Sequence, residues 1–362
     1  MNKTTLLTFI LCTLALNLDL KAQFVEIEST PIKATKEEKE TVYYSFEDAL
    51  KKPEKVYLLK IREKNLSEIP ESIIRLENLT FLDLTNNKIS QLASGFSNLK
   101  KLESLFLTAN QFSEFPNFNT NLSNLKMLVL ADNQINNVTE NISNLSALVN
   151  LDLSFNKIDS IAENIGYECT TLYWIELGHN ELSTLPNSIG NLKKLYALEL
   201  NHNRFVSLPD FIGNLEKLNR LIANDNQLIS LPETLGNLKE LKQLNLKNNQ
   251  LSSLPTNIGY LENLNVLILE NNKMSSLPES IGDLRNLKKL YLNDNAIEEI
   301  PDTINFLENL LLLDLSNNKL VTVYEQIKNL KSLKKLILKG NQISDEEKSL
   351  LQKDFPNCSI EY

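Results

Sequence analysis

An asparagine recurs at positions 87, 110, 133, 156, 180, 203, 226, 249, 272, 295, 318 and 341, in steps of 23 residues except one of 24 between Asn156 and Asn180. Self-similarity at a fixed period of this size marks stacked units, each touching only its neighbours. The same apolar frame surrounds every asparagine: Leu241, Leu244, Leu246, Asn249 and Leu251 set the spacing L-x-x-L-x-L-x-x-N-x-L. A degenerate first copy holds Val56, Leu59, Ile61, Lys64 and Leu66, so thirteen copies span residues 56–343. At 362 residues an ordinary chain suggests two domains, but a repeat array runs this long as one.

Leu244 and Leu246 alternate with Asn245, the period of a strand with one buried face. Identical strands offset by a full turn of chain stack in parallel, about 4.8 Å apart. Asn249 turns inward, where its amide can satisfy backbone groups of a bend that the core would leave unpaired. The first copy carries Lys64 there, as a terminal repeat without a preceding neighbour can. The second half of the unit returns with Leu254, Ile258 and Leu261 inward. Pro255 and its seven equivalents stiffen that return and suppress helix at that point. Gly259 and its equivalents Gly166, Gly190, Gly213, Gly236 and Gly282 are expected to permit a tight bend. The pattern resembles the leucine-rich-repeat family, of the exported bacterial type, over most of the chain. The resemblance implies an α/β repeat solenoid: a right-handed horseshoe with a parallel β-sheet on the concave face and short turns or 3-10 segments on the convex face.

A single unit cannot bury its own apolar face, so the ends need caps. Ser45-Phe-Glu-Asp48 matches a capping box for a helix over 45–55, with Asp48 in place of the usual Glu. Ser344-Asp-Glu-Glu347 opens a second cap over 344–362, a helix with Leu350, Leu351 and Phe355 followed by a final strand. No appended catalytic, sorting or membrane domain is expected. Residues 1–22 match a signal peptide: Lys3 precedes the apolar run Leu6 to Leu16, too short to span a bilayer, and cleavage after Ala22 leaves Gln23. Cys12 lies inside that run behind Phe9-Ile10-Leu11, where a lipid anchor would need small residues. Residues 23–44 fit a flexible leader. Export leaves Cys169 and Cys358, too far apart along the solenoid to meet, so free thiols are expected, with Cys169 buried. The Asn-Leu-Ser triplets at Asn121 and Asn144 resemble glycosylation acceptors, but the repeat places Asn before an inward Leu in any case.

The net charge is −9, and removing residues 1–22 (Lys3, Lys21 and Asp19, net +1) leaves −10. An acidic balance without a basic cluster argues against nucleic acid and anionic membrane surfaces as partners, and no transmembrane segment is expected. The zinc H-E-x-x-H, the nucleophile elbow, the P-loop and the dinucleotide fingerprint are all missing from the sequence. No catalytic residue and no cofactor is therefore expected. An open, wet concavity is also a poor place to tune a general acid or base.

Packing dictates the inward residues, so recognition falls to the outward columns of the strands. Three zones stand out: Phe81, Phe106, Met127 and Val129; then Asp152, Trp174, Glu176 and Glu199; then Ile222, Val266, Ile268 and Tyr291. Exposed apolar and aromatic side chains on a sheet face mark an interface, because contiguous apolar surface is otherwise avoided. His179 and His202 occupy equivalent positions one repeat apart, but zinc needs three or four converging ligands and no metal site is expected. The leading expectation is an exported, non-enzymatic protein that binds a protein partner, one with a basic patch, through the concave sheet. The alternative is a cell-envelope scaffold or glycan binder, with Tyr173, Trp174 and Tyr291 as sugar platforms.

Overall fold

The computed structural model describes residues 41–118 and 122–362. Residues 1–22, most of the leader and Asn121 lie outside them. Fifteen strands pair in parallel in one sheet, following chain order. Thirteen belong to the repeats, each of three residues in fixed register: Arg220–Ile222 pairs with Gln243–Asn245, which pairs with Val266–Ile268. Two further strands flank them. Val42–Tyr43 pairs with Leu58 and Leu59, and Ser359–Glu361 pairs with Lys335–Ile337. Val42 and Tyr43 fall in the stretch expected to be a flexible leader; they are strand because the first repeat would otherwise leave an edge of unpaired backbone groups. The central residue of every repeat strand, from Leu59 to Leu336, is buried in one continuous core.

The asparagine ladder ties each turn to the one before it. Asn249 Nδ2 donates to Leu246 O in its own repeat and to Ala223 O in the preceding one, both at 3.0 Å. Its Oδ1 accepts from Leu228 N at 3.0 Å. At the first step Asn87 Oδ1 takes both Lys64 N and Leu66 N, at 3.0 and 3.1 Å.

The bend is not made by the glycines. None of the six return glycines has a positive φ; instead the residue before each ladder asparagine does, at 52–59° from Asn86 to Asn317, and Gly340 takes 77°. Asn and Asp predominate there, as their short polar side chains tolerate the left-handed region best. The return glycines allow close approach: a Cβ on Gly213 would lie 2.3 Å from Thr234 O of the next repeat.

On the convex side, five-residue 3-10 turns follow Pro70, Pro186, Pro209, Pro232, Pro255, Pro278 and Pro301. Pro255 stands just outside its turn at φ −64° and ψ 151°, and its carbonyl accepts from Ile258 N at 3.1 Å. Outside the turn, a missing N–H leaves nothing unpaired. The extra residue of the 24-residue step lodges here too. Cys169 N reaches back four residues to Ile165 O at 3.0 Å, where the equivalent Leu192 N reaches back three to Ile189 O at 3.0 Å. One 3-10 turn has become the α-turn Ile165–Glu168, and the concave register is untouched. Cys169 fills the inward place of a leucine; it is free, and burial pushes its thiol up to about 12. Cys358, half-buried, is free as well.

Both caps form. Ser45 Oγ accepts from Asp48 N at 3.1 Å and donates to Asp48 Oδ2 at 2.9 Å, opening the short helix Phe46–Ala49. Ser344 Oγ accepts from Glu347 N at 3.2 Å at the start of helix Asp345–Asp354. Glu347 does not reach back to Ser344 in the manner of a capping box. Its Oε1 accepts from Tyr324 N at 2.7 Å and Thr322 Oγ1 at 2.9 Å, capping the helix of the last repeat but one, Tyr324–Ile327. Leu351 and Phe355 seal the core, whereas Leu350 lies one helical step round and is 43% exposed.

Replacing Asn249 with Ala strands three buried backbone groups and should destabilise the chain by about 3 kcal/mol or more. Asn341→Ala, at the half-buried end of the ladder, should cost less; urea unfolding compares them. Gly213→Ala should likewise lower the thermal midpoint more than Gly178→Ala, whose nearest obstacle is the movable Asn201 side chain.

Candidate functional site: the concave sheet

The apolar zone is assembled as the strand register requires. Phe81 and Phe106 sit diagonally across adjacent strands with ring centroids 5.3 Å apart, and the Lys60 ammonium lies 5.2 Å from the Phe81 centroid. Val129 neighbours Phe106 in its column, Met127 follows Ser104 in the other, and all four apolar side chains are half-buried. Asp83, in the same outward column, is fully buried beneath the Arg62 guanidinium, so this patch has no free carboxylate at that position.

The middle zone is an acid ladder. Asp152, Glu176 and Glu199 occupy one register position on three successive strands. Asp152 Oδ1 accepts from Ser154 N at 2.9 Å and Ser154 Oγ at 2.7 Å, and Glu199 Oε1 pairs with Arg220 Nε at 3.0 Å. Glu176, between them, has no cation of its own among the described residues. Burial, then the charges of Asp152 and Glu199, hold its carboxyl well above the usual range, and burial also raises Asp152. The exposure expected of Trp174 does not hold: it is only 6% exposed. The short Ala197 beside it in the next strand leaves room for the indole, and Ala197 is itself fully covered. Ile222 is similarly covered, at 5%. Both stand in outward columns yet offer a partner little surface.

Beyond lies the third zone. Val266 and Ile268 are half-buried on one strand, with Tyr291 next to Ile268 and Asp314 next to Tyr291. Burial, then Asp314, raises the Tyr291 phenol. Alongside the acid ladder, Phe155, His179 and His202 stack face to face at 4.0 Å per step, tilted 11° and 19°. All three are left-handed bend residues, which is why their rings project side by side. Burial, then His202, pushes His179 down to about 4, while His202 Nε2 lies 3.3 Å from Asp225 Oδ2. Stacked imidazoles direct their nitrogens in parallel planes and not toward one point. No group of three or more His, Cys, Asp or Glu among the described residues is placed to hold a metal. No helix among them is long and apolar enough to cross a membrane.

Tyr173, a candidate sugar platform, has an aromatic partner that the sequence reading did not pair with it. Tyr173 and Tyr196 stack at 4.8 Å and 10° in the column just before the strands, on the flank of the solenoid. The 23-residue spacing of the two tyrosines is the signal in the sequence that pairs them.

Comparison with known proteins places this architecture in a class. The leucine-rich repeat region profile matches residues 55–173, 167–246 and 231–358, and the chain belongs to the leucine-rich-repeat family. Among solved structures it is similar to a leucine-rich-repeat protein of Leptospira interrogans, at 28% identity over 89% of this chain and 100% of that one, with a TM-score of 0.67. An internalin of Listeria monocytogenes aligns at 26% identity over 86% of this chain and 88% of that one, with a TM-score of 0.74. The plant peptide hormone receptor RGFR1, in complex with RGF2, aligns at 30% identity and a TM-score of 0.63, over 80% of this chain but only 52% of the receptor. No curated protein matches in sequence.

The raised carboxyls set a pH dependence. A carboxyl held above its unfolded value contributes stability that is fully present below the ordinary carboxylate range and is lost as pH rises through the raised value. Glu176→Gln removes that loss and keeps a donor toward Asp152. The variant should match the parent near about pH 4 and exceed it by on the order of 1 kcal/mol near about pH 8. Urea unfolding at both pH values measures this, and a parent that gains stability over the interval relative to the variant contradicts it.

Proposed function

We propose that this chain is an exported, non-enzymatic recognition protein that holds a protein partner on its concave sheet. The observation that carries the proposal is the banding of that sheet: the half-buried Phe81–Phe106–Met127–Val129 patch, then the Asp152–Glu176–Glu199 ladder, then Val266, Ile268 and Tyr291. A rigid face alternating apolar and acidic zones suits a partner that alternates apolar and basic ones. The plant receptor in complex with RGF2 supports the use of this fold for recognition. Export rests on the signal-peptide pattern of residues 1–22. Trp174 and Ile222, being covered, act through the shape of the sheet and not as anchors.

Co-purification from native extract with residues 23–362 as bait tests the proposal. A partner captured by the unmutated bait should be lost by about tenfold or more with Phe81→Ala and Phe106→Ala together. Capture should also weaken as salt rises. Val321→Ala, at an exposed convex position, should change nothing. Equal capture by all baits would move recognition off the concave sheet. A mature N-terminus at Gln23 checks export, and an uncleaved chain in the cell would overturn it.

A further inference from the structure

The Tyr173–Tyr196 stack borders a half-open groove of about 420 Å³ on the flank between the convex turns and the sheet. The next residue in the tyrosine column is Asn219, whose Nδ2 is tied back to Glu240 O at 3.1 Å. The aromatic ladder therefore stops at Tyr196, and the groove continues beyond it past this short side chain. Lys194, Lys217 and Lys242 line the same groove. In this acidic chain their neighbours on that flank are paired, Lys193 with Glu216 at 3.4 Å and Lys239 with Glu262 at 3.3 Å. Lys194, Lys217 and Lys242 are exposed and have no carboxylate within ion-pair distance among the described residues, although Glu240 shares the lining.

We propose that this flank groove is a second binding site, separate from the concave sheet, for an acidic polysaccharide of the uronic-acid type. A pyranose ring offers an apolar C–H face to an aromatic ring, and its carboxylate takes an ammonium donor. Tyr173 covers one face of the Tyr196 ring, and the other face turns toward the Asn219 step, where one pyranose ring can stack with its carboxylate near Lys194 and Lys217, which stand at equivalent positions one repeat apart before the column passes to Glu240. An extended acidic peptide fits less well, because a glutamate chain supplies carboxylates but no apolar ring face for Tyr196.

Isothermal titration of the full chain with a β-mannuronate hexamer tests the site, with mannohexaose as the uncharged counterpart and a glutamate hexamer as the peptide counterpart. The mannuronate should bind and mannohexaose should bind at least about tenfold more weakly, since the lysines would lack their charge partner. Lys194→Ala with Lys217→Ala should weaken mannuronate binding by about tenfold, as should Tyr196→Ala. Because the lysines are exposed, the double variant should keep the parent's thermal midpoint, which separates loss of the site from loss of the fold. Phe106→Ala should leave mannuronate binding unchanged, so the concave-face reading and this one fail independently. The proposal is overturned by no mannuronate binding, by equal binding of mannohexaose, by insensitivity to the lysine pair, or by tighter binding of the glutamate hexamer.

Discussion

Everything in this molecule hangs on a carboxamide that faces the wrong way for a polar group. Each ladder asparagine is turned into the interior, where its NH₂ bridges carbonyls of two successive turns and its oxygen receives an N–H of the earlier one. Asn249 does this with Ala223, Leu246 and Leu228. A buried backbone group without a partner is costly, so these bonds are close to obligatory once the bend is in the core. They demand that every repeat present the same carbonyl at the same place. The period is therefore rigid on the concave side, and the one extra residue of the chain was absorbed on the convex side as an α-turn.

The ladder has a conformational counterpart. To bring the asparagine inward, the residue before it takes a left-handed conformation, one that side chains other than Gly, Asn and Asp adopt at a cost of about 1–2 kcal/mol. That column is thus under backbone constraint while its side chains remain free to project. Where the sequence places rings there, at Phe155, His179 and His202, they stack into a continuous aromatic strip beside the carboxylates. A structural necessity of the bend thereby delivers surface chemistry in register.

The same translation repeats every outward column, with opposite consequences for like and unlike groups. Aromatic residues in equivalent positions gain by stacking, as Tyr173 and Tyr196 do on the flank. Carboxylates in equivalent positions repel, and the ladder of Asp152, Glu176 and Glu199 persists with one arginine at its end and a raised carboxyl at its centre. Alternating signs would serve stability better, and here the repulsion is met by the arginine and by the proton that the central carboxyl retains.

The period, the inward leucines and the ladder were legible in the linear sequence, because translation by one repeat brings equivalent positions together whatever the remaining residues are. Accessibility was not legible. Trp174 and Ile222 belong to outward columns, yet the first spreads beside the short Ala197 and both are covered, since side-chain size in the neighbouring strand decides what stays open. Nor could the sequence distinguish the two uses of glycine and asparagine: the return glycines serve close approach between turns, and the bend is carried by residues that look like ordinary polar surface. Composition within one repeat sets which side chains are available, and contacts between repeats decide which of them a partner can touch.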